Sequence, residues 1–163
     1  VGQLSNELPP GVALDIACGP GQHASYLAAH GWEVDALDIS ATALRRLAKE
    51  PNVTTHHVDF DELTAFPRSY DLALMIKYLN RNLYPLLRDQ LRPGGSVIIS
   101  QYHEGPNGER HFPWEERYLL RAGELAQVFA GFTILQERLY ETNAFDGSLT
   151  WRQDFVARAP TLG

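Results

Sequence analysis

At 163 residues, with 44% apolar residues, the chain is long enough to bury a sizeable core as one globular domain. Its formal net charge of -6 argues against a protein that grips duplex nucleic acid, which needs a basic face to neutralise phosphates. No unbroken apolar run reaches the roughly 18 residues of a spanning helix, and Cys18 is the single cysteine, so no disulfide forms within the chain and a reducing, cytoplasmic setting is expected.

The first ten residues, VGQLSNELPP, lack the basic start and apolar centre of a signal peptide. The chain opens on Val1 rather than methionine, so a removed leading segment is expected, with 1–163 read as one domain. GVALDIA is a near-continuous apolar run, as in a strand buried on both faces. GQHASYLAAHGW follows with helical spacing and a stop at Gly31. EVDALDIS is a second strand. Ser40 then suits the cap of a helix, ATALRRLAKE, that ends at Pro51. The basic cluster on that helix, Arg45, Arg46 and Lys49, reads as a solvated face.

VTTHHVDF is a third strand, rich in β-branched residues, and YDLALMI a fourth. Leu83, Leu86, Leu87 and Leu91 mark an amphipathic helix with Pro85 near its first turn. RPGG ends that helix and SVIISQY is the fifth strand. Alternating strands and helices imply right-handed crossovers and a parallel sheet. The last third departs from that pattern. AGELAQVFAGF reads as a helix; TILQERLYE and LTWRQDFVARA are strands joined around NAFDGS, a connection short enough only for an antiparallel hairpin. The fold class is therefore α/β with a mixed sheet and a C-terminal hairpin on one edge. The longest irregular stretch, HEGPNGERHFPW at 103–114, carries two histidines and a tryptophan.

Chemistry concentrates in DIACGPGQHA, residues 15–24. Ligands of an open parallel sheet bind beyond the carboxyl ends of its strands, where this stretch lies. Gly19 and Gly21 turn the chain tightly and let backbone N–H groups approach a ligand. With Ala24 they also match G-x-G-x-x-A, a weak dinucleotide signal. Asp15 weighs against a pyrophosphate, since a carboxylate before the turn suits a cationic or amine-bearing ligand; its alternative role is to tie down the glycine loop. Asp38 ends strand two and can accept both hydroxyls of a ribose. Asp59 ends strand three beside Phe60; read alone they are a turn acid and a core aromatic, but an acid and an aromatic also suit adenine. Three acids at the ends of three successive strands share one rim.

On these residues the chain resembles the class I S-adenosylmethionine-dependent methyltransferases over nearly its whole length. LDIACGPG resembles the family's acid and glycine motif, departing from it at Ala17, where the first glycine would stand. DALDIS, VDF, YDLALMIKYL and LRPGGSVIIS are similar to the four motifs that follow. The resemblance implies a Rossmann-like three-layer sandwich with strand order 3-2-1-4-5-7-6 and S-adenosyl-L-methionine as cofactor. It implies a cofactor site of Asp15, Ala17, Gly19, Gly21, His23, Asp38, Ile39, Asp59, Phe60, Ile76 and Lys77. RYLLRAGELAQVFAGFTILQERLYE is more loosely similar to small bacterial tellurite-resistance and thiopurine-methyltransferase-like enzymes.

Methyl transfer from a sulfonium is an in-line displacement, so orientation dominates and a general base is optional for a soft acceptor. The Asn/Asp-Pro-Pro-aromatic motif of nucleic-acid amino-methyltransferases is absent after strand four, and Cys18 sits in the cofactor loop, so a nucleic-acid substrate is not expected. The acceptor side is read as Tyr78, Arg81, His111, Phe112 and Trp114, with His103 and Tyr102 as catalytic candidates. An aromatic, histidine-rich rim suits a small, partly apolar acceptor: a thiol, a chalcogen or a small aromatic. Phe112 and Trp114 could equally pack their loop onto the sheet. His56 and His57 are adjacent in a strand and point to opposite faces, so no metal site is expected. Three rivals stand beside this reading: an NAD-type oxidoreductase, a protein that binds the cofactor without catalysis, and an aminopropyl transferase. The closing hairpin and short chain weigh against the first, and no clear acidic gate for a polyamine follows strand four.

Overall fold

A computed structural model describes residues 8–106 and 115–163. The central strand β1 (Val12–Ile16), apolar but for Asp15, is buried because strands flank it on both edges. It pairs in parallel with β2 (Glu33–Asp38) on one side and β4 (Tyr70–Ile76) on the other. β3 (Val53–His57) lies parallel outside β2, and β5 (Leu91–His103) parallel outside β4. β7 (Leu149–Arg158) inserts antiparallel between β5 and β6 (Thr133–Asn143). The seven-stranded order is 3-2-1-4-5-7-6, as the resemblance implies.

Helices close both faces. Leu27 and Leu47, on α1 (Gln22–Ala29) and α2 (Ala41–Leu47), pack with Trp32 on Ala13, Val34, Ala36, Leu72 and Leu74. α3 (Tyr84–Gln90) and α4 (Glu124–Val128) bring Leu87 and Leu125, with Phe129, against Leu14, Ile16, Met75, Ile99 and Phe155. Alternate residues of each central strand thus feed alternate layers. Trp32, Phe129 and Phe155 are fully buried, each worth about 1.5–3 kcal/mol of transfer free energy. The Ser40 side chain caps α2, accepting from the Ala43 N–H at 3.3 Å.

Several boundaries differ from the sequence reading. β3 stops at His57, so Asp59 and Phe60 lie in the turn beyond it. Leu91 opens β5 instead of closing α3, because the next residues bulge: pairing jumps from Tyr70↔Leu91 to Leu72↔Ser96. The helix expected over AGELAQVFAGF is confined to Glu124–Val128, with Gly123 as its N-cap.

Candidate cofactor and acceptor site

The turn after β1 is built from left-handed residues: Ala17, Gly19 and Gly21 have φ of 52°, 52° and 83°. A Cβ at Gly21 would stand 2.3 Å from a Leu47 methyl, so both backbone and packing call for glycine. A Cβ at Gly19 would meet nothing within 4 Å among the described residues. Ala17, where the family pattern has glycine, carries its side chain in a conformation that costs an L-residue about 1–2 kcal/mol. The departure from the family's glycine at this position therefore has a local cost.

Asp38 holds this turn. Its Oδ2 accepts from the Gly19 N–H and its Oδ1 from the Ser40 N–H, both at 2.8 Å. Each oxygen retains a lone pair, leaving the carboxylate able to receive ribose hydroxyls. Beside it, Ile39 is 60% exposed, an apolar side chain presented at the rim. Asp59 is exposed and accepts from the Asp61 N–H at 3.0 Å, within the turn after β3. Phe60 is buried in the core, its ring 5.2 Å from that of Tyr78.

Asp15 is 1% exposed, and its Oδ2 has no hydrogen-bond partner among the described residues. Burial pushes its carboxyl up to about 7; a bond to the Ala24 backbone opposes the shift and the nearby Asp38 charge adds to it. Asp15 thus ties to the helix start and keeps one oxygen uncommitted. That oxygen fits an amine-bearing cationic ligand, whose charge would hold the carboxyl ionised. Burial also pushes the Cys18 thiol up to about 12, with the Asp15 and Asp38 charges adding, which disfavours the reactive thiolate.

Asp15, Ala17, Gly19, His23, Ile76 and Lys77 line one cleft of about 1110 Å³. Burial lowers the His23 pKa and keeps its imidazole neutral. Lys77 has a left-handed backbone, φ 54°, and its N–H donates to the Ser100 carbonyl at 2.7 Å. The far wall is one the sequence reading missed: Ser100 of β5, Arg152 and Asp154 of β7, and Gln136, Arg138 and Tyr140 of β6. Their alternation along the strands was visible in WRQD and QERLY, but a polar stripe on a hairpin reads first as a solvent face.

The acceptor candidates scatter. Arg81 is engaged within the fold: its guanidinium donates to both Glu124 carboxylate oxygens and to the Arg117 and Leu119 carbonyls, all at 2.8 Å. Glu124 also receives the Tyr84 hydroxyl, and Arg81 holds its carboxyl below the usual range. His103 is 5% exposed and does not line the cleft; its Nδ1 accepts from the Gly105 N–H at 2.9 Å and burial lowers its pKa. That commits Nδ1 to the turn after β5. Tyr102 pairs with Arg152 across the sheet but is not part of the cleft lining. Tyr78 packs on Phe60, and its hydroxyl receives Asn80 Nδ2 at 3.5 Å. His111, Phe112 and Trp114 lie outside the described residues. His56 meets Asp35 at 3.0 Å and His57 meets the Ile39 carbonyl at 2.8 Å, so the two rings do separate.

A parallel sheet closed by an inserted antiparallel strand, with a buried acid ahead of a glycine turn and a second acid on the neighbouring strand, defines a nucleoside-cofactor site of the methyltransferase kind. The chain belongs to the methyltransferase domain family, whose profile matches residues 13–95. It is 32% identical over 111 residues, 59% of this chain, to an S-adenosyl-L-methionine-dependent Diels-Alderase of Talaromyces variabilis, of which it spans only 38%. An uncharacterized methyltransferase of Schizosaccharomyces pombe is 29% identical over 121 residues, covering 66% of this chain and 83% of that one. The structure superposes on TehB of Haemophilus influenzae with a TM-score of 0.83, over 97% of this chain and 60% of that one, at 18% identity. It also superposes on the N-methyltransferase NodS of Bradyrhizobium japonicum, in complex with S-adenosyl-L-homocysteine. There the TM-score is 0.72, at 15% identity over 95% and 81% of the two chains. At such identities the structural likeness is one of fold. The cofactor of the family is S-adenosylmethionine, and the uncommitted Asp15 oxygen and open Gly19 fit it.

Proposed function

We propose that this protein transfers a methyl group from S-adenosylmethionine to a small-molecule acceptor such as a thiol, a chalcogen or a small aromatic. The buried, unpartnered Asp15 oxygen at the mouth of the glycine turn carries the reading. A dinucleotide phosphate would repel that carboxylate, whereas an amine partners it. The cofactor, when bound, supplies an activated methyl on a sulfonium. The chain's own residues bind, orient and exclude water. Asp15 faces the amine, Asp38 accepts the ribose hydroxyls, Ile39 offers an apolar face to the base, and the turn at Ala17–Gly21 fixes their spacing. Holding donor and acceptor in line is the main contribution asked of the protein. With His103 committed to its turn, a soft acceptor that attacks without a base suits the site best. The free cysteine agrees with a cytoplasmic setting.

Calorimetric titration with S-adenosylhomocysteine, beside NAD, tests this. Micromolar binding of the homocysteine compound alone, lost in Asp38→Ala, is the expected outcome. Binding of NAD instead, or of neither, overturns the proposal. A second reading, use of the bound cofactor without methyl transfer, is favoured by the likeness to a Diels-Alderase. Tight cofactor binding with no methylation of thiol, chalcogen or aromatic acceptors would select it.

A further inference from the structure

The chain is acidic overall, yet its cleft gathers Lys77, Arg138 and Arg152. Two acids line the same space, Asp15 and Asp154. Asp15 is the partner of the cofactor amine in the reading above. Asp154 is held by its neighbours: Ser100 Oγ and the Tyr140 hydroxyl, at 3.3 Å for the latter, both donate to its Oδ1.

The two arginines keep donors in reserve. Arg152 spends its Nε on Ser100 Oγ at 2.8 Å and stands 3.9 Å from Asp154. Its terminal nitrogens have no hydrogen-bond partner among the described residues. Arg138 lies over the Tyr140 ring at 4.8 Å and makes no ion pair among the described residues. The register sets their spacing. Arg138 is opposite Asp154 and Tyr140 opposite Arg152, so the arginines are diagonal neighbours on one face of the β6–β7 ladder. Such pairs stand roughly 7–8 Å apart at the backbone, close enough for one carboxylate to receive both forks.

We propose that Arg138 and Arg152 form an anion subsite for the acceptor, which is therefore a carboxylate-bearing small molecule. This rests on the methyltransferase reading, in which the glycine-turn end of the cleft belongs to the cofactor and the β6–β7 wall to the acceptor. The Ser100–Asp154–Tyr140 cluster aims Arg152, and the Tyr140 ring supports Arg138. An arginine pair over a polar wall selects a planar oxyanion by geometry as well as charge.

The test measures binding to the whole protein, with and without S-adenosylhomocysteine. The probes are acetate, benzoate and 2-naphthoate, each beside its neutral alcohol. The expected result is binding of at least one carboxylate, with its alcohol at least tenfold weaker. Arg138→Gln and Arg152→Gln each weaken that carboxylate tenfold or more and leave S-adenosylhomocysteine affinity unchanged. Arg138 is exposed on an edge strand, so its variant keeps the wild-type melting temperature. Arg152→Lys restores charge without the fork and recovers binding only in part. Equal binding of acid and alcohol, no carboxylate binding, or variants that bind like wild type overturn the subsite. Failure of S-adenosylhomocysteine to bind overturns the cofactor reading instead, and the arms without it still report on the arginines.

Discussion

The backbone N–H of Gly19 donates to Asp38 Oδ2 at 2.8 Å, so the turn that ends β1 hangs from the carboxylate that ends β2. The acid proposed to take the ribose hydroxyls is thus also a brace. Asp38→Asn keeps the shape but turns one acceptor into a donor, facing either Gly19 or Ser40. Loss of a charge-assisted bond of this kind costs about 1.5–3 kcal/mol. Urea unfolding of the free protein should show that loss, and S-adenosylhomocysteine titration should show affinity down about tenfold or more.

Asp15 makes stability and binding respond to pH in opposite senses. Its folded pKa, about 7, lies above the 3.8 of an unfolded chain. Between these values the unfolded state has released a proton that the folded state keeps, so this group lowers stability as pH rises from about 4 to 7 and leaves it flat above. A bound ammonium favours the ionised carboxyl, so cofactor affinity rises as pH climbs through about 7. Asp15→Asn should stabilise the free protein near pH 8 by on the order of 2 kcal/mol. It should also weaken S-adenosylhomocysteine binding and flatten its pH profile. Melting curves and titrations at pH 6 and 8 read both effects.

Ala17 sits at φ 52° without a glycine's freedom. Ala17→Gly relieves the crowding but gives the unfolded chain more entropy, so a net change within about 1 kcal/mol is expected. Ala17→Val adds β-branching in the left-handed region and should destabilise by more than about 1 kcal/mol. Denaturant midpoints of the two variants check the ordering.

Arg81 and Glu124 pin the turn after β4 to the start of α4 through two 2.8 Å bonds, with two backbone carbonyls alongside. Glu124 is the more buried partner, at 12% side-chain exposure against 33%. Arg81→Ala strands that carboxylate and should cost about 2 kcal/mol or more. Because Arg81 is outside the cleft, S-adenosylhomocysteine affinity should stay within about twofold of wild type. A large affinity loss at unchanged stability would instead return Arg81 to the binding site.

Cys18 is 7% exposed with its thiol pushed up to about 12. Native protein at pH 8 should react with an aromatic disulfide reagent far more slowly than denatured protein, and one thiol should appear on unfolding.

Sequence alone determined the order of elements and the acid and glycines of the turn after β1. Apolar runs at period two and at helical spacing report burial directly, and a glycine turn behind a buried strand needs no distant partner to be read. Asp15, Gly19 and Asp38 were legible for that reason. Tertiary structure decided what is spent and what is left over. Arg81 and His103 carry the chemistry of a site, yet Glu124, nearby carbonyls and the Gly105 N–H, reached through loops and strand pairing, occupy them. Arg138, Arg152 and Asp154 meet Ser100 only because β7 inserts between β5 and β6. A strand pattern states which residues share a face but not which strand will lie beside it. That register arises from packing across the whole sheet.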